Sequence, residues 1–348
     1  MKPRLRIRGV ATVMLVISAA AAGLVPLPSV AVERSYSNGI YPWIQRTLTP
    51  VSNLTSFALL DLAASALLLL LMYRVAILSR SEGWTRGAVG AVVILLQSSA
   101  IIYLLFLALW GLNYRRVPLE DKLDFDRTRV TVQRASELAA QAVRRLNALH
   151  GPAHARTADV SALPGAFESA ARAMGADHRL TPGRPKRSLL GLYFRKAAID
   201  GMTDPFFLEV ILNPDLLPIE VPEVLTHEWA HLAGYADESE ANFLAWLTCL
   251  RGDSLAQYSG WLSAYLRVSS ALPRELRAAL PRLDDGPRAD LRAIAARYNR
   301  SSTVVRRAAS DVYDTYLKAN RIPEGIANYD EVTKLMLGTT LGSEWNPR

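Results

Sequence analysis

The sequence predicts an α-helical membrane part with three spans, joined to a mainly helical α+β domain that holds a small sheet. Three observations carry this reading. The first third of the chain contains three long apolar runs that are nearly free of charge, whereas the remainder mixes Arg, Asp, Glu and Ala in globular proportions. From residue 128 onward, apolar residues recur at helical spacing. Only two short apolar runs, Leu189 to Phe194 and Phe206 to Leu212, have the length and flanking breakers of strands.

The expected spans cover residues 9–31, 55–78 and 87–112, and each is long enough to cross roughly 30 Å of hydrocarbon at about 1.5 Å per helical residue. For the first run a cleaved signal peptide is the alternative, because Lys2, Arg4, Arg6 and Arg8 form a basic leader and Ser29-Val30-Ala31 resembles a cleavage site. Lys and Arg cluster before the first span and in the loop after the second, at Arg74, Arg80 and Arg86, which makes those sides cytoplasmic. The intervening loop, residues 32–54, is then outside, with Tyr41, Trp43, Trp110 and Tyr114 as an outer aromatic belt. Residues 1–112 thus form the membrane domain of a multi-pass protein, and residues 113–348 an extracytoplasmic domain. Arg115 and Arg116 count against that orientation but are outnumbered. Asp61, within a turn or two of the outer end of the second span, reads as a carboxylate at headgroup level.

In the second part a helix begins near residue 128 and stops at His150-Gly151-Pro152. Another covers 161–175. The two strands follow, joined by a turn around Asp200-Gly201, and then helices near 221–234, 237–251, 254–270, 287–298 and 303–319. The net charge of +8 comes from scattered basic residues with no aromatic-interleaved basic segment, so no nucleic-acid partner is expected. Cys249 is the only cysteine, which excludes an intramolecular disulfide.

Chemistry concentrates at Thr226-His227-Glu228-Trp229-Ala230-His231. On a helix His227 and His231 lie one turn apart on a single face and can share one Zn²⁺ at about 2.0–2.1 Å. Glu228, beside them, is placed to take a proton from the water that the metal activates and to return one to a leaving amine. Such a site needs a third ligand and an open position. Glu238 ranks first, with Ala241 and Asn242 on its helical face, so that Asn242 would orient one of the histidines. Asp237 ranks second, in an H-E-x-x-H-x-x-G-x-x-D pattern with Gly234 at a sharp turn. That pattern also wants a Met-containing turn, and Met336 lies far downstream in a helical segment. Glu240 ranks third, since it points about 200° around the helix from Glu238. His150 and His154 are also four apart, but Gly151 and Pro152 between them are expected to break the helix that would align them.

The stretches Tyr36 to Pro42, Leu225 to Glu228, Glu238 to Ala245 and Val312 to Asn320 resemble, in order, the bacterial domain-of-unknown-function family 3810. The resemblance covers nearly the whole chain. It implies three N-terminal spans and an extracytoplasmic gluzincin-like zinc-peptidase domain, with the segment from Gly191 to Pro214 as the sheet above the active-site helix. Where members of that family often carry Tyr-x-Pro-like and Gly-Glu-Ala-like stretches, this chain has Tyr193-Phe194-Arg195 and Phe207-Leu208-Glu209-Val210. In zinc peptidases of this kind an edge strand pairs with extended substrate and a Tyr, His or Arg stabilises the oxyanion. Tyr313 and Tyr316 are the candidates for that donor, with aromatic packing of a C-terminal helix as the competing reading.

The expected function is that of a membrane-anchored zinc metallopeptidase with His227, His231 and Glu238 on the metal and Glu228 as general base. Its partners would be the lipid bilayer and a peptide or protein substrate in the cell envelope. The alternative is a non-catalytic membrane protein whose zinc-binding or metal-free domain binds a cell-envelope component. Hydrolysis of another amide or an ester shares the same zinc–water chemistry and is not separable by sequence.

Overall fold

The computed structural model of the protein describes residues 3–155, 160–176, 179–342 and 345–347. Its helices in chain order are α1 (Pro3–Leu24), α2 (Ser29–Val32), α3 (Tyr41–Ser52), α4 (Leu59–Glu82), α5 (Trp84–Leu109), α6 (Val132–His154), α7 (Leu163–Ala173), α8 (Gly191–Ala197), α9 (Val221–Leu232), α10 (Glu238–Leu250), α11 (Ser254–Ala271), α12 (Arg274–Ala278), α13 (Asp285–Asn299), α14 (Thr303–Ala319) and α15 (Asn328–Gly338). A π-helical stretch, Glu33–Ile40, links α2 to α3. The strands are β1 (Pro185–Lys186), β2 (Gly201–Asp204) and β3 (Glu209–Leu212), in the spatial order β1-β3-β2, with β1 parallel and β2 antiparallel to β3. The chain is mainly helical with one small mixed sheet, as its sequence predicts.

Among the described residues two helices are long and apolar enough to cross a membrane, Leu59–Ser81 and Gly87–Leu109, and a third span exists only if the bent pair Gly9–Leu24 and Ser29–Ser52 is counted as one. The expected first span is cut short. Pro26 and Pro28 lack the N–H that would continue α1 and hold the preceding residues out of helical geometry, so the chain turns by 107° after Leu24. Arg115 closes the freed helix end by donating to the carbonyls of Ala22 (2.7 Å) and Gly23 (3.0 Å), and Arg321 reaches Val25 O at 3.2 Å.

The segment expected as an external loop, residues 32–54, is instead helical and packs on the globular part. Tyr41 is fully buried and donates to Leu232 O (2.8 Å), Gln45 to Thr181 O (2.7 Å), Thr49 to Leu208 O (2.9 Å) and Asn53 to Pro182 O (2.9 Å). Lys186 donates to the carbonyls of Ser52 and Thr55. Tyr41 and Trp110 are therefore interior residues, not members of an aromatic belt; Trp43 remains exposed. Asp61 is likewise occupied: its carboxylate accepts from Ser188 Oγ (2.9 Å) and Leu189 N (2.7 Å). Glu209 on β3 caps α4 by accepting from the N–H groups of Leu59 (3.1 Å) and Leu60 (2.9 Å). The sheet is thus bolted to the first turn of an apolar helix.

The run from Leu189 to Phe194, expected as a strand, is largely α8, which ends at Ala198 in the left-handed region at φ 54°. A short apolar run does not distinguish the two periods, and here the Asp61 contacts turn the chain into a helix. The Asp200-Gly201 pair opens β2 rather than forming the hairpin turn. That turn is residues 205–208, held by the Asp204 carboxylate, which accepts from the N–H groups of Phe206 (3.2 Å) and Phe207 (2.8 Å). Helix α6 runs on through Gly151 and Pro152 to His154, contrary to the expected break. Pro152 sits in the last turn, where its missing N–H costs one hydrogen bond, and packing of α6 along α11 outweighs that loss. The core gathers α7, α9, α11 and α15 around α10, every residue of which is buried, and α6 packs along α11.

Candidate metal centre

Helix α9 starts with Pro222 in its first turn, where a missing N–H is harmless, and ends at Gly234, whose φ of 84° is the left-handed C-cap geometry. That glycine reverses the chain, and Asp237 then N-caps α10 by accepting from the N–H groups of Ser239 (2.9 Å) and Glu240 (3.2 Å). The reversal brings the first residue of α10 over the histidine face of α9. His227 Nε2 lies 3.1 Å from His231 Nε2 and 3.3 Å from Glu238 Oε2, and His231 Nε2 lies 3.6 Å from the same oxygen.

These distances suit a shared metal. Tetrahedral ligands at about 2.0–2.1 Å from Zn²⁺ are about 3.4 Å from one another. His231 Nδ1 donates to Tyr235 O at 2.7 Å, which leaves the Nε2 lone pair facing the centre. Among the described residues, Glu238 Oε2 and His227 Nδ1 are buried atoms without a hydrogen-bond partner, and the first of these points at both histidines. No fourth His, Cys, Asp or Glu joins the group among the described residues. The donor set, two imidazoles and one carboxylate oxygen, is one that Zn²⁺ accepts with a position to spare.

The two other carboxylates are engaged elsewhere. Asp237 is the N-cap, and Glu240 Oε1 accepts from Leu119 N at 2.5 Å on the far side of the helix. Burial pushes the Glu240 carboxyl up to about 7, with the charge of Asp237 adding to the shift. For Glu238, burial alone would raise the carboxyl, but the adjacent imidazoles, His231 foremost, overturn this and hold it well below the usual range. Burial opposes charging of His231, and Glu238 nevertheless raises it to about 9. An anionic oxygen beside two imidazoles is an electrostatic arrangement that a dication can enter in place of protons.

Glu228 faces β2. Its Oε2 accepts from Thr203 Oγ1 at 2.8 Å, and a Cβ at Gly201 would come within 2.5 Å of Oε1, so a larger residue at 201 would push the Glu228 carboxylate aside. Burial raises the Glu228 carboxyl, against the pull of His227, His231 and the Thr203 hydrogen bond. β2 is the outer strand of the sheet, with one side unpaired by β3.

Tyr313 and Tyr316 take different places. Tyr313 donates to Glu238 Oε1, so it supports the carboxylate. Tyr316 stacks on Tyr313 at 5.8 Å, packs on Phe106 and meets the Tyr114 hydroxyl at 3.4 Å; burial pushes its phenol up to about 12. Asn242, expected to orient a histidine, instead donates to Glu238 O (2.7 Å) and accepts from Arg267 (2.7 Å), which stiffens the first turn of α10. The carbonyl end of α9 is held by Trp110 Nε1 on His231 O (2.9 Å) and by Arg116 on Gly234 O (3.0 Å). Arg116 is fixed by a two-point ion pair with Glu33 and lies 4.5 Å from the Tyr235 ring centre. Thr203, Gly201, Trp110 and Arg116 carry no local sequence signal of these roles, because each acts across the fold.

Fold and site together define a mainly helical protein with two or three apolar helices able to span a membrane and a His-His-Glu cluster, His231 and Glu238 buried and His227 partly so, at the junction of two core helices. The family model described as "protein of unknown function (DUF3810)" matches residues 36–337, and the chain belongs to that family. No curated protein and no solved structure matches it.

Proposed function

We propose that the protein is a membrane-anchored zinc metallopeptidase with a zincin-like catalytic domain, acting outside the cytoplasm of a bacterial cell. The observation that carries this reading is the triangle of His227 Nε2, His231 Nε2 and Glu238 Oε2, with 3.1–3.6 Å sides and Glu228 on the same helix. When bound there, Zn²⁺ supplies Lewis acidity that makes water a nucleophile near neutral pH and polarises a carbonyl. The chain's own residues do the rest. Glu228, buried and hydrogen-bonded by Thr203, holds the proton that water loses and delivers it to the leaving amine. The unpaired side of β2 offers backbone groups to an extended peptide beside Glu228, which favours a peptide over other acyl substrates. Arg74, Arg80 and the basic N-terminus assign α1 and the α4–α5 turn to the cytoplasmic side, which sets the domain outside. On this reading α1 is retained, since Gln97 on α5 donates to Thr12 (2.7 Å) and Arg115 closes its end.

The test uses the full chain in detergent with a library of internally quenched peptides. Glu228→Gln is expected to keep its zinc, measured by elemental mass spectrometry, and to lose about 10²- to 10⁴-fold in turnover. Unchanged turnover in Glu228→Gln sinks the peptidase reading. Zinc that is bound with no hydrolysis in either protein favours the alternative of a non-catalytic domain that binds a cell-envelope partner.

A further inference from the structure

The second histidine pair is not separated by a helix break. His150 and His154 lie one turn apart on α6, with ring centres 4.3 Å apart. Both face Asp290 on α13: His154 Nε2 is 2.9 Å and His150 Nε2 3.6 Å from Asp290 Oδ2. All three ligand atoms lie within 4.8 Å of one another. Asp290 Oδ2 also accepts from Tyr258 on α11 at 2.5 Å. Tyr258 takes one lone pair of that oxygen, the lone pair now facing His154 is the one an ion would take, and the approach of His150 is too long for a hydrogen bond. It is a normal separation for two ligands of one ion.

The surroundings are built to keep this geometry. A Cβ at Gly286 would fall 2.5 Å from the His150 ring, so the start of α13 is glycine where the ring lies. One turn before His150, Asn147 accepts from Asp284 N (2.9 Å) and donates to Arg282 O (3.1 Å), which seats α13 on α6 without help from the cluster. Asp290 is buried while His154 is exposed, so solvent reaches the side opposite the carboxylate and can complete a coordination shell.

We propose that His150, His154 and Asp290 form a second site for a divalent transition-metal ion of the zinc type, which joins α6 to α13. Two imidazoles and one carboxylate with open positions select Zn²⁺ and its neighbours in affinity over Ca²⁺ or Mg²⁺, which take all-oxygen shells. The site has a structural consequence near the first one. Seven residues along α13, on the same face, Arg297 donates to Asp200 (2.8 Å) and Glu220 (2.6 Å). Asp200 precedes Gly201 of β2, and Glu220 precedes α9. An ion at the second site therefore steadies the helix that sets β2 against α9.

The test is metal content of the full chain in detergent, stripped with chelator, reloaded with Zn²⁺ and desalted. About two equivalents are expected in the native protein, about one in His227→Ala, about one in His154→Ala and about none in the double variant. Asp290→Asn, which keeps an acceptor for Tyr258, is expected to match His154→Ala and guards against loss of fold. Zinc absent from His227→Ala, or unchanged by both His154→Ala and Asp290→Asn, overturns the second site while leaving the first intact. One equivalent that survives His227→Ala but not His154→Ala upholds the second site and instead overturns the zinc reading of the first.

Discussion

Two of the three ligands at the His-His-Glu cluster, His231 and Glu238, are held by partners that do not themselves reach the centre. Tyr235 O fixes the ring of His231, and the Tyr313 hydroxyl fixes the Glu238 carboxylate through the oxygen that faces away. Supports of this kind typically carry 10- to 100-fold in metal affinity. Tyr313→Phe is accordingly expected to weaken zinc binding by about that factor while leaving the helical content unchanged, read by competition with a chromophoric chelator and by circular dichroism. A second residue-scale effect concerns pH. Burial, with the charge of Glu209 adding to it and two backbone N–H groups opposing, raises the Asp204 carboxyl from 3.8 to about 7. A raised carboxyl favours the protonated folded state, so its contribution is fully present below pH about 4 and is lost as pH rises through about 7. The melting temperature of the native protein relative to Asp204→Asn should fall between pH 5 and pH 8. A difference that does not change with pH contradicts the assignment.

Among the elements, α13 is the strut that joins the two histidine clusters. The Arg297 side chain is 6 % exposed and spans Asp200, half exposed, and Glu220, 11 % exposed. Removing one partner of such a pair leaves charge stranded, at a cost of about 3 kcal/mol when fully buried and less where, as at Asp200, water screens it. Arg297→Ala should therefore destabilise the protein by about 2 kcal/mol. It should also lower hydrolysis more than zinc content, because β2 and the start of α9 lose their common tie. A variant with native turnover would show that β2 is positioned by the sheet alone. The other element-scale tie is Glu209, which carries the position of β3 into the first turn of α4 and so couples the sheet to the apolar helices.

Over the whole molecule, the boundary at residue 112 does not separate two folding units. Val32, Tyr36 and Tyr41 belong to the same buried cluster as Leu225, Trp229 and Leu232, and Gln45, Thr49 and Asn53 satisfy backbone carbonyls of the loop at 181–182 and of Leu208. A fragment of residues 113–348 exposes that apolar surface and orphans those groups, each unsatisfied buried group costing about 1–3 kcal/mol. Such a fragment is expected to aggregate or to show reduced helicity by circular dichroism, whereas the full chain in detergent stays folded. A soluble, zinc-binding 113–348 fragment would refute this dependence.

The local parts of this protein were legible in the sequence because they rest on short-range chemistry. Apolar length marked the helices at 59–81 and 87–109, 3.6-residue periodicity marked α9, α10, α11 and α14, and the i,i+4 spacing put His227 and His231 on one face. What depended on distant partners was not. Strand and helix were indistinguishable for the run from Leu189 until Asp61, more than a hundred residues earlier, turned it. Pro152 reads as a stop signal, and only packing against α11 carries α6 past it and brings His154 to Asp290. Sequence alone gives only a ranking of Glu238 over Asp237 and Glu240, since all three lie within four residues. The left-handed turn at Gly234, the N-cap taken by Asp237 and the bond from Leu119 to Glu240 leave Glu238 alone facing the histidines. Spacing along one helix is set by covalent geometry, but which side chain crosses from the next element is set by how the chain reverses between them, and that reversal is decided by contacts from the whole fold.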